Sequence, residues 1–313
     1  KTMKRELAAK AFLKVSKYDS MIANYLSENK NNTNLLSNRI NIVSDEIEVL
    51  RYGENPHQKA KLFEVSSPEL AAFDFIQLSG KQISFNNLVD TESAYSCVEQ
   101  FKEPSCVIVK HANPCGVASG TSLDDAYKKA YKTDPTSAFG GIIAFNKKMS
   151  SSLIKKIINK QFVEVIAAPA FDNKASEIIK VKPNVRLLKI KLKKNSLIYE
   201  AKLLRNKLLV QEKDDKKLSL RDLKVVTDKK PTKKELDDMM FAFKVSRYVK
   251  SNAIVFVKNL KTLAIGAGQM SRIDSTNIAI NKAKKEKISL KGSVMASEAF
   301  FPFRDNVDLA KKI

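Results

Sequence analysis

The sequence has little of what marks membrane, secreted or metal-clustered proteins. Its 313 residues contain no run of about 18 apolar residues, which excludes a membrane-spanning helix. Its three cysteines, Cys97, Cys106 and Cys115, form no C-x-x-C pair, and their odd number argues against a disulfide framework. We therefore expect a cytoplasmic protein in a reducing compartment, with no membrane partner.

Acidic residues are also scarce relative to basic ones. The 56 Lys and Arg residues against 34 Asp and Glu residues give a formal net charge of +22, which raises the hypothesis of a basic nucleic-acid-binding module. The lysines are scattered through 155–160, 180–194 and 282–291 without interleaved aromatic residues, so they predict a solvated surface rather than a base-stacking platform. We expect no nucleic-acid partner, and such a field would favour anionic small substrates.

Only two histidines are present, His57 and His111, and both lie in polar, turn-rich segments. His111 follows Lys110 where the apolar run 106–109 leads into the turn-forming stretch 112–116. The run has the length and β-branched composition of a strand, and a parallel sheet presents side chains to ligands at its strand ends. The adjacent cation and general base predict an active site here.

The hydrophobic pattern predicts an α/β layer fold with a substantially parallel sheet, after an amphipathic helix at 4–27 and an Asn-rich linker at 27–41. No internal repeat is evident. The predicted strands are 106–109, 141–145, 163–168, 253–257 and 262–265. The predicted helices are 123–132, 151–159, 233–249 and 275–285.

A glycine-containing turn precedes the last of these helices, with Gly266, Gly268 and Arg272 close together. Glycines admit a ligand close to the backbone and a helix N-terminus favours an anion, so we expect an anion cradle here rather than an ordinary turn. A nicotinamide-dependent oxidoreductase is an alternative reading. Ser271 stands at the third glycine position, however, and no acidic strand end follows about 20 residues later.

The segment after Lys110 faintly resembles the zinc-ligand pattern of nucleoside deaminases, H-x-E with P-C-x-x-C. Asn113 replaces the glutamate and no second cysteine follows Cys115, so we expect no metal at His111. For the aromatic residues Phe139 and Phe300, composition alone predicts a place in the core.

Six stretches, taken together, resemble one family closely and in order along the whole chain. They are RYGENPHQ (51–58), VKHANPCG (109–116), YKTDPTSAFGG (131–141), KSNAI (250–254), GAGQMSR (266–272) and AFFPFRD (299–305). The family is the bifunctional purine biosynthesis protein, which joins AICAR transformylase to IMP cyclohydrolase. The resemblance covers most of the transformylase domain.

The resemblance implies two cytidine-deaminase-like α/β/α units without zinc, the second truncated at its C-terminus. The implied domains are a cyclohydrolase remnant with linker at 1–40, a first unit at 41–225 and an incomplete second unit at 226–313. Cyclohydrolase activity would be absent from this part of the protein. One departure from the family pattern is Asn206-Lys207, where the family generally carries Gly-Gly.

The implied reaction transfers a formyl group from the co-substrate 10-formyltetrahydrofolate to AICAR, giving FAICAR and tetrahydrofolate on the route to IMP. His111 would remove the amine proton and Lys110 would stabilise the oxyanion, with no catalytic metal. A homodimer with active sites at its interface is also implied. The substrate-binding residues carried over by position are Arg51, Tyr52, Asn87, Phe139, Gly140, Glu164, Asn252, Gln269, Arg272 and Phe300.

Overall fold

The computed structural model describes residues 2–27, 40–65, 73–192, 199–214 and 218–313. The predicted linker lies, apart from its ends, outside these residues. The chain divides into two compact units. The first comprises Lys1–Leu50, Lys59–Ala72 and Lys193–Asp214, and the second comprises Arg51–Gln58, Phe73–Leu192 and Asp215–Ile313. The domain boundaries near residues 40 and 225 stay predictions.

The described residues form a mixed set of helices and strands. The helices are α1 (Thr2–Ser27), α2 (Phe85–Val98), α3 (Leu123–Tyr131), α4 (Pro135–Ala138), α5 (Ser151–Lys160), α6 (Ala175–Ile178), α7 (Lys233–Ser246), α8 (Arg272–Lys285) and α9 (Asp305–Ala310). The strands are β1 (Ser44–Leu50), β2 (Ala60–Val65), β3 (Phe73–Ser79), β4 (Ser105–Lys110), β5 (Asn113–Ser119), β6 (Gly141–Phe145), β7 (Val163–Ala168), β8 (Arg186–Leu192), β9 (Tyr199–Leu204), β10 (Lys207–Glu212), β11 (Ile254–Val257), β12 (Thr262–Gly266) and β13 (Val294–Ala296).

The first unit contains α1 and two antiparallel strand pairs, β1 with β2 and β9 with β10. The predicted amphipathic helix is confirmed as α1, and its apolar side chains, among them Leu7 and Phe12, are exposed. An exposed ion pair between Lys17 and Asp45 spans 2.5 Å. Pairs of this kind contribute little to stability because water screens both charges.

The second unit is built on a six-stranded sheet in the order β3-β8-β7-β6-β4-β5. Strands β6, β7 and β8 run parallel, whereas β4 pairs antiparallel with both of its neighbours. The prediction of a substantially parallel sheet is therefore wrong for the strand that carries Lys110. The reason is the short connection from β4 to β5, because only antiparallel strands can be joined by a tight turn.

The predicted strands and helices of this sheet are confirmed. Strands β4, β6 and β7 are buried almost throughout, so their sequences are continuous apolar runs rather than alternating ones. Helix α5 covers the sheet with Leu153, Ile154, Ile157 and Ile158, which recur at helical spacing. These side chains join Ile143 and other strand residues in one apolar core.

Helix α2 was not predicted. It begins after Ser84, whose hydroxyl accepts a hydrogen bond from the Asn87 amide in a capping box. The helix buries the polar residues Asn87, Asp90 and Thr91 beside Ala94. Because polar residues occupy part of the buried face, the apolar periodicity that marks an amphipathic helix is absent here.

A second, three-stranded sheet in the order β12-β11-β13 lies in the same unit, with α7 and α8 against it. All pairings in this sheet are antiparallel. Strands β11 and β12 and helices α7 and α8 confirm the corresponding predictions. The apolar residues of β11, β12 and α8 form a core of their own, which includes Ile254, Phe256 and Ala279.

The two sheets contain an internal repeat that the sequence did not reveal. Segment α2-β4-β5 and segment α7-β11-β12 each consist of a helix with a capping box, a strand, a tight turn and a second strand. A buried aspartate on each helix, Asp90 or Asp238, accepts hydrogen bonds from two backbone amides of the turn, 21 and 22 residues further along in both cases. The equal spacing shows that the same local architecture occurs twice.

The two copies of the repeat meet where β5 lies beside β12. An antiparallel bridge joins Ala118 to Lys261, and the Ser119 amide donates to the Leu260 carbonyl at 2.9 Å. The buried Thr262 hydroxyl lies 2.9 Å from both the Val117 amide and the Thr133 hydroxyl. Backbone and buried hydroxyl contacts of this kind fix the register between the two sheets.

Replacement of Gly266 by Ala tests the packing of α8 on β12. A Cβ atom at Gly266 would overlap the backbone carbonyl of Ser275 in α8, so one of the two elements must shift. We expect a loss of about 3 kcal/mol in the free energy of unfolding, measured by urea denaturation. Gly268→Ala is the control. Its site is open although φ is +67°, and we expect it to lose about 1 kcal/mol. Equal losses would contradict the packing.

Candidate active site

The Lys110-His111 pair lies where β4 ends and a two-residue turn leads into β5. Lys110 pairs with Asn113 across the turn, so His111 and Ala112 alone form it. The predicted turn over 112–116 is therefore wrong, because most of it belongs to β5. Both turn residues are left-handed, with φ of 51° for His111 and 56° for Ala112. Such turns usually contain Asn-Gly, and a left-handed residue other than glycine costs about 1–2 kcal/mol.

Side chains from α2 and β5 satisfy the backbone groups of this turn. The Asp90 carboxylate accepts hydrogen bonds from the His111 amide at 3.2 Å and the Ala112 amide at 2.6 Å. The Ser93 hydroxyl donates to the Ala112 carbonyl at 3.1 Å, and the Asn113 side-chain amide donates to the His111 carbonyl at 3.0 Å. Four contacts thus offset the cost of the left-handed conformation.

Asp90 is buried, with 7% of its surface exposed. Burial raises its pKa above the ordinary 3.8, and the hydrogen bonds from Ala112 and His111 and the charges of His111 and Lys110 oppose that rise without cancelling it. The carboxylate is nevertheless the only group in contact with both turn amides among the described hydrogen bonds. Asp90 therefore supports the turn although burial of its carboxylate costs desolvation free energy.

The two side chains of the pair differ in their surroundings. The His111 residue is exposed, and within the described residues its imidazole makes no hydrogen bond or ion pair. Lys110 is half-buried, and its ammonium group donates to the Gly140 carbonyl at 2.9 Å. An ammonium group has three donors, so this contact orients Lys110 and leaves donors for a ligand.

Gly140 lies between the ammonium group and an aromatic pair. Its φ of +66° suits glycine, and its amide donates to the Phe162 carbonyl at 2.9 Å. The rings of Phe139 and Phe162 are 5.4 Å apart and tilted. Phe139 is 65% exposed and Phe300 is 78% exposed, so the prediction that both lie in the core is wrong. Exposed phenyl rings offer apolar surface to a ligand.

A second group of predicted site residues lies near the start of α2. The Asn87 side chain, which is buried, donates to the Glu164 carboxylate at 2.8 Å. The Arg51 guanidinium lies 5.4 Å from the centre of the Tyr52 ring. The Tyr52 carbonyl accepts from the Phe85 amide, which fixes the 51–58 loop against the N-terminus of α2.

Arg186 adds a buried cation to this second group. Its guanidinium donates to the carbonyls of Lys81 and Gln82 at 3.1 and 2.9 Å, and the residue is 4% exposed. Burial lowers its pKa, the Glu164 carboxylate opposes that change, and the Arg51 charge adds to it. The Arg186 guanidinium therefore lies within electrostatic reach of both the Glu164 carboxylate and the Arg51 guanidinium.

A third group connects to the turn through Asn113, whose side-chain oxygen accepts from the Lys250 amide at 2.9 Å. Two residues further along, the Asn252 side chain donates to the carbonyls of Gln269 and Met270 at 2.9 and 3.0 Å. The predicted residues Asn252 and Gln269 are thus in direct contact. The same asparagine that closes the β4-β5 turn holds the segment leading to Asn252.

Arg272 lies in this third group and is paired with Glu298 at 2.8 Å, both side chains being largely buried. Glu298 also accepts hydrogen bonds from the Ser251 hydroxyl at 2.6 Å and the Ala253 amide at 2.9 Å. Burial opposes ionisation of Glu298, but hydrogen bonds from Ser251 and Ala253 outweigh it, so its pKa lies below the ordinary 4.5. Glu298 thus holds Arg272 and both neighbours of Asn252.

The predicted anion cradle at Gly266–Gly268 finds no support in this arrangement. Ser271 caps α8 by accepting from the Asp274 amide, and the Asp274 carboxylate lies in the first turn of the helix. A cap and a negative charge thus occupy the end of the helix that an anion would need. Arg272, which favoured the cradle, is paired with Glu298.

The described residues contain no group of three His, Cys, Asp or Glu side chains arranged to hold a metal ion. Cys97, Cys106 and Cys115 are buried free thiols, and burial raises the pKa of each. In the same part of the chain, no helix has both the length and the apolar character required to cross a membrane.

Sequence reasoning missed Asp90, Arg186 and Glu298. Asp90 has a signal in hindsight, because Val-Lys precedes both left-handed turns of the repeat and a helical aspartate stands at the same distance before each. Arg186 and Glu298 have no comparable signal, since Arg186 contacts carbonyls and Glu298 contacts an amide and side chains that are distant in sequence. Their contacts follow from the fold alone.

The lowered pKa of Glu298 predicts a pH-dependent contribution to stability. A carboxyl group with a lowered pKa in the folded state stabilises the fold above its ordinary pKa of 4.5 and loses that contribution as the pH falls through the folded-state value. Glu298→Gln should therefore lower the free energy of unfolding at pH 7 and flatten its decline below pH 4.5. Parallel curves for wild type and variant would contradict this, and Glu64→Gln on exposed strand β2 is the control.

Comparison with known families covers five of the six stretches described above, and the stretch at 299–305 lies beyond the matched residues. The model of a family described as AICARFT/IMPCHase bienzyme matches residues 1–282, which is most of the chain and includes the turn, the aromatic pair and the polar groups around Arg51 and Asn252. The match indicates an enzyme of purine biosynthesis. The chain belongs to the AICARFT/IMPCHase bienzyme family.

Proposed function

We propose that this chain carries the AICAR transformylase activity of the family, the transfer of a formyl group from 10-formyltetrahydrofolate to AICAR. The observation that supports it most is the β4-β5 turn, where an exposed imidazole without a partner among the described residues adjoins an oriented ammonium group. A general base and a cation are the two groups that this transfer requires.

The AICAR amine is a weak nucleophile because its lone pair is delocalised into the imidazole ring and the carboxamide. His111 accepts the amine proton as the nitrogen attacks the formyl carbon. The tetrahedral intermediate carries a negative oxygen, which the Lys110 ammonium group stabilises. Collapse of the intermediate breaks the bond from carbon to folate N10, and the proton returns to that nitrogen.

The other predicted residues bind the two substrates. Arg51 has the fork geometry and permanent charge that suit a ribotide phosphate, and Tyr52 lies beside it. Phe139 and Phe300 offer exposed rings against which a flat heterocycle can stack. Asn252 and Gln269 offer amide groups for a carboxamide, next to Arg272. We assign Asn87, Gly140 and Glu164 to the same substrate sites.

The internal repeat supports two α/β/α units of the cytidine-deaminase type without zinc, within the proposed domains 41–225 and 226–313. Asn113 uses its side chain to close the turn and to hold Lys250. Cys115 is buried and its thiol contacts the Ile108 carbonyl at 3.5 Å. Neither residue is free to bind a metal beside His111, which agrees with catalysis by side chains alone.

A homodimer with sites completed at its interface is part of the proposal. The exposed phenyl rings of Phe139 and Phe300 provide apolar surface that a second chain or a substrate would cover. A nicotinamide-dependent oxidoreductase is not favoured, because the Gly266–Gly268 turn leads into a helix that is already capped. A nucleic-acid-binding module still rests on net charge alone.

His111→Ala and Lys110→Ala should each lower kcat for formyl transfer by about 100-fold or more, since each removes a group that acts in the transition state. The repeat provides matched controls. Asn259→Ala and Lys258→Ala change the corresponding turn of the second sheet, where Lys258 also donates to a backbone carbonyl, and should leave kcat unchanged. The measurement is the steady-state rate of formyl transfer by the wild-type protein and by each variant.

Near-normal turnover of both His111→Ala and Lys110→Ala would contradict the assignment of these two residues as catalytic groups. A wild-type protein that binds labelled nucleic acid in preference to AICAR, and that transfers no formyl group, would favour the nucleic-acid module instead. An equal loss in the Asn259→Ala control would point to general destabilisation of the turns.

Phe139→Ala should raise the KM for substrate with little effect on stability. The ring is exposed, so its removal leaves no cavity in the core, but it takes away stacking surface worth about 0.5–1.5 kcal/mol. Phe12→Ala removes a phenyl ring that is 76% exposed from α1 and is the control. An unchanged KM in Phe139→Ala would exclude stacking at this position.

A further inference from the structure

The β4-β5 turn depends on one buried carboxylate for both of its amides. Asp90 projects from α2, and its two oxygens accept separately from His111 and Ala112. The carbonyls of these two residues have other partners, Asn113 and Ser93. Loss of Asp90 would therefore leave both amides without this acceptor while the rest of the turn remained bonded.

The conformation of the turn decides where the His111 side chain points. A left-handed residue has its Cβ on a different side of the backbone from a right-handed one, so a change of φ from +51° would redirect the imidazole. Lys110 would be less affected, because it belongs to β4 and is held by Gly140. The distance between the imidazole and the ammonium group is thus set by the turn.

The second copy of the repeat has the same aspartate contacts at a turn without a general base. Asp238 accepts from the Asn259 and Leu260 amides at 2.9 and 2.7 Å, and both residues are left-handed with φ of 57° and 52°. Neither has an ionisable side chain. A helical carboxylate that accepts from both amides of a left-handed turn therefore occurs in both copies of the repeat. Only the turn of the first copy contains a histidine.

We propose, on the basis of the transformylase function above, that Asp90 is a positioning residue for catalysis. It holds the His111-Ala112 turn left-handed so that the imidazole meets the substrate amine while Lys110 meets the formyl oxygen. The imidazolium that forms when His111 takes the proton also attracts the Asp90 carboxylate. Asp238 holds its own turn in the same way without a part in the reaction.

The test compares Asp90→Asn with Asp238→Asn. Each replacement keeps the shape of the side chain, removes its charge and turns one acceptor into a donor that faces an amide. Because the two sites have the same geometry, the two variants should lose similar stability in urea denaturation. Only Asp90→Asn should lose kcat, by about 100-fold, as expected when a catalytic group is displaced by about 1 Å. Both KM values should stay close to wild type.

A second substitution separates positioning from folding. Ala112→Gly puts glycine at a left-handed position, where it carries no steric cost, so the turn needs less support from Asp90. The double variant Asp90→Asn/Ala112→Gly should recover kcat at least severalfold relative to Asp90→Asn. Asp238→Asn/Leu260→Gly should regain stability with no change in kcat.

Three outcomes would overturn the positioning role: equal kcat in Asp90→Asn and Asp238→Asn, a loss confined to KM, or no recovery in the Ala112→Gly double variant. Failure of the proposed function has a different signature, because the wild-type protein would then transfer no formyl group. A wild type that is active, with Asp90→Asn also active, refutes only the role of Asp90.

Discussion

Two consecutive left-handed residues, His111 and Ala112, impose the constraint on which the site depends. Residues with a Cβ avoid this conformation, so the turn exists only because neighbouring elements satisfy its backbone. Asp90 on α2 supports the two amides, and Asn113 on β5 supports one carbonyl and the Lys250 amide. The turn therefore ties together a helix, a hairpin and the segment that leads to Asn252.

The proposed catalytic and binding groups lie on three parts of the fold. Strand β4 supplies Lys110, whose ammonium group is oriented by Gly140 at the start of β6. The loop around Arg51 is held at the N-terminus of α2, and the same helix carries Asp90. Asn252, which precedes β11, and Arg272 at the start of α8 are connected through Glu298, which accepts from the Ala253 amide and pairs with Arg272.

Sequence patterns predicted the buried strands because these are continuous apolar runs, and they predicted most helices because the apolar residues recur at helical spacing. Strands β4, β6 and β7 and helix α5 are examples. The patterns failed for α2, whose buried face includes Asp90, and for β5, whose Pro114 and Gly116 suggested a turn. Lys110 and His111 could be selected from residue chemistry. Asp90 could not be selected in this way, since its partners are backbone amides in another element.

The most direct measurement of the central claim is a crystal structure of the protein with AICAR bound. The account predicts that the nucleotide amine lies within hydrogen-bond distance, about 2.6–3.2 Å, of a nitrogen of the His111 imidazole, with the turn still left-handed. An AICAR molecule bound without contact to the Lys110-His111 turn would contradict the account.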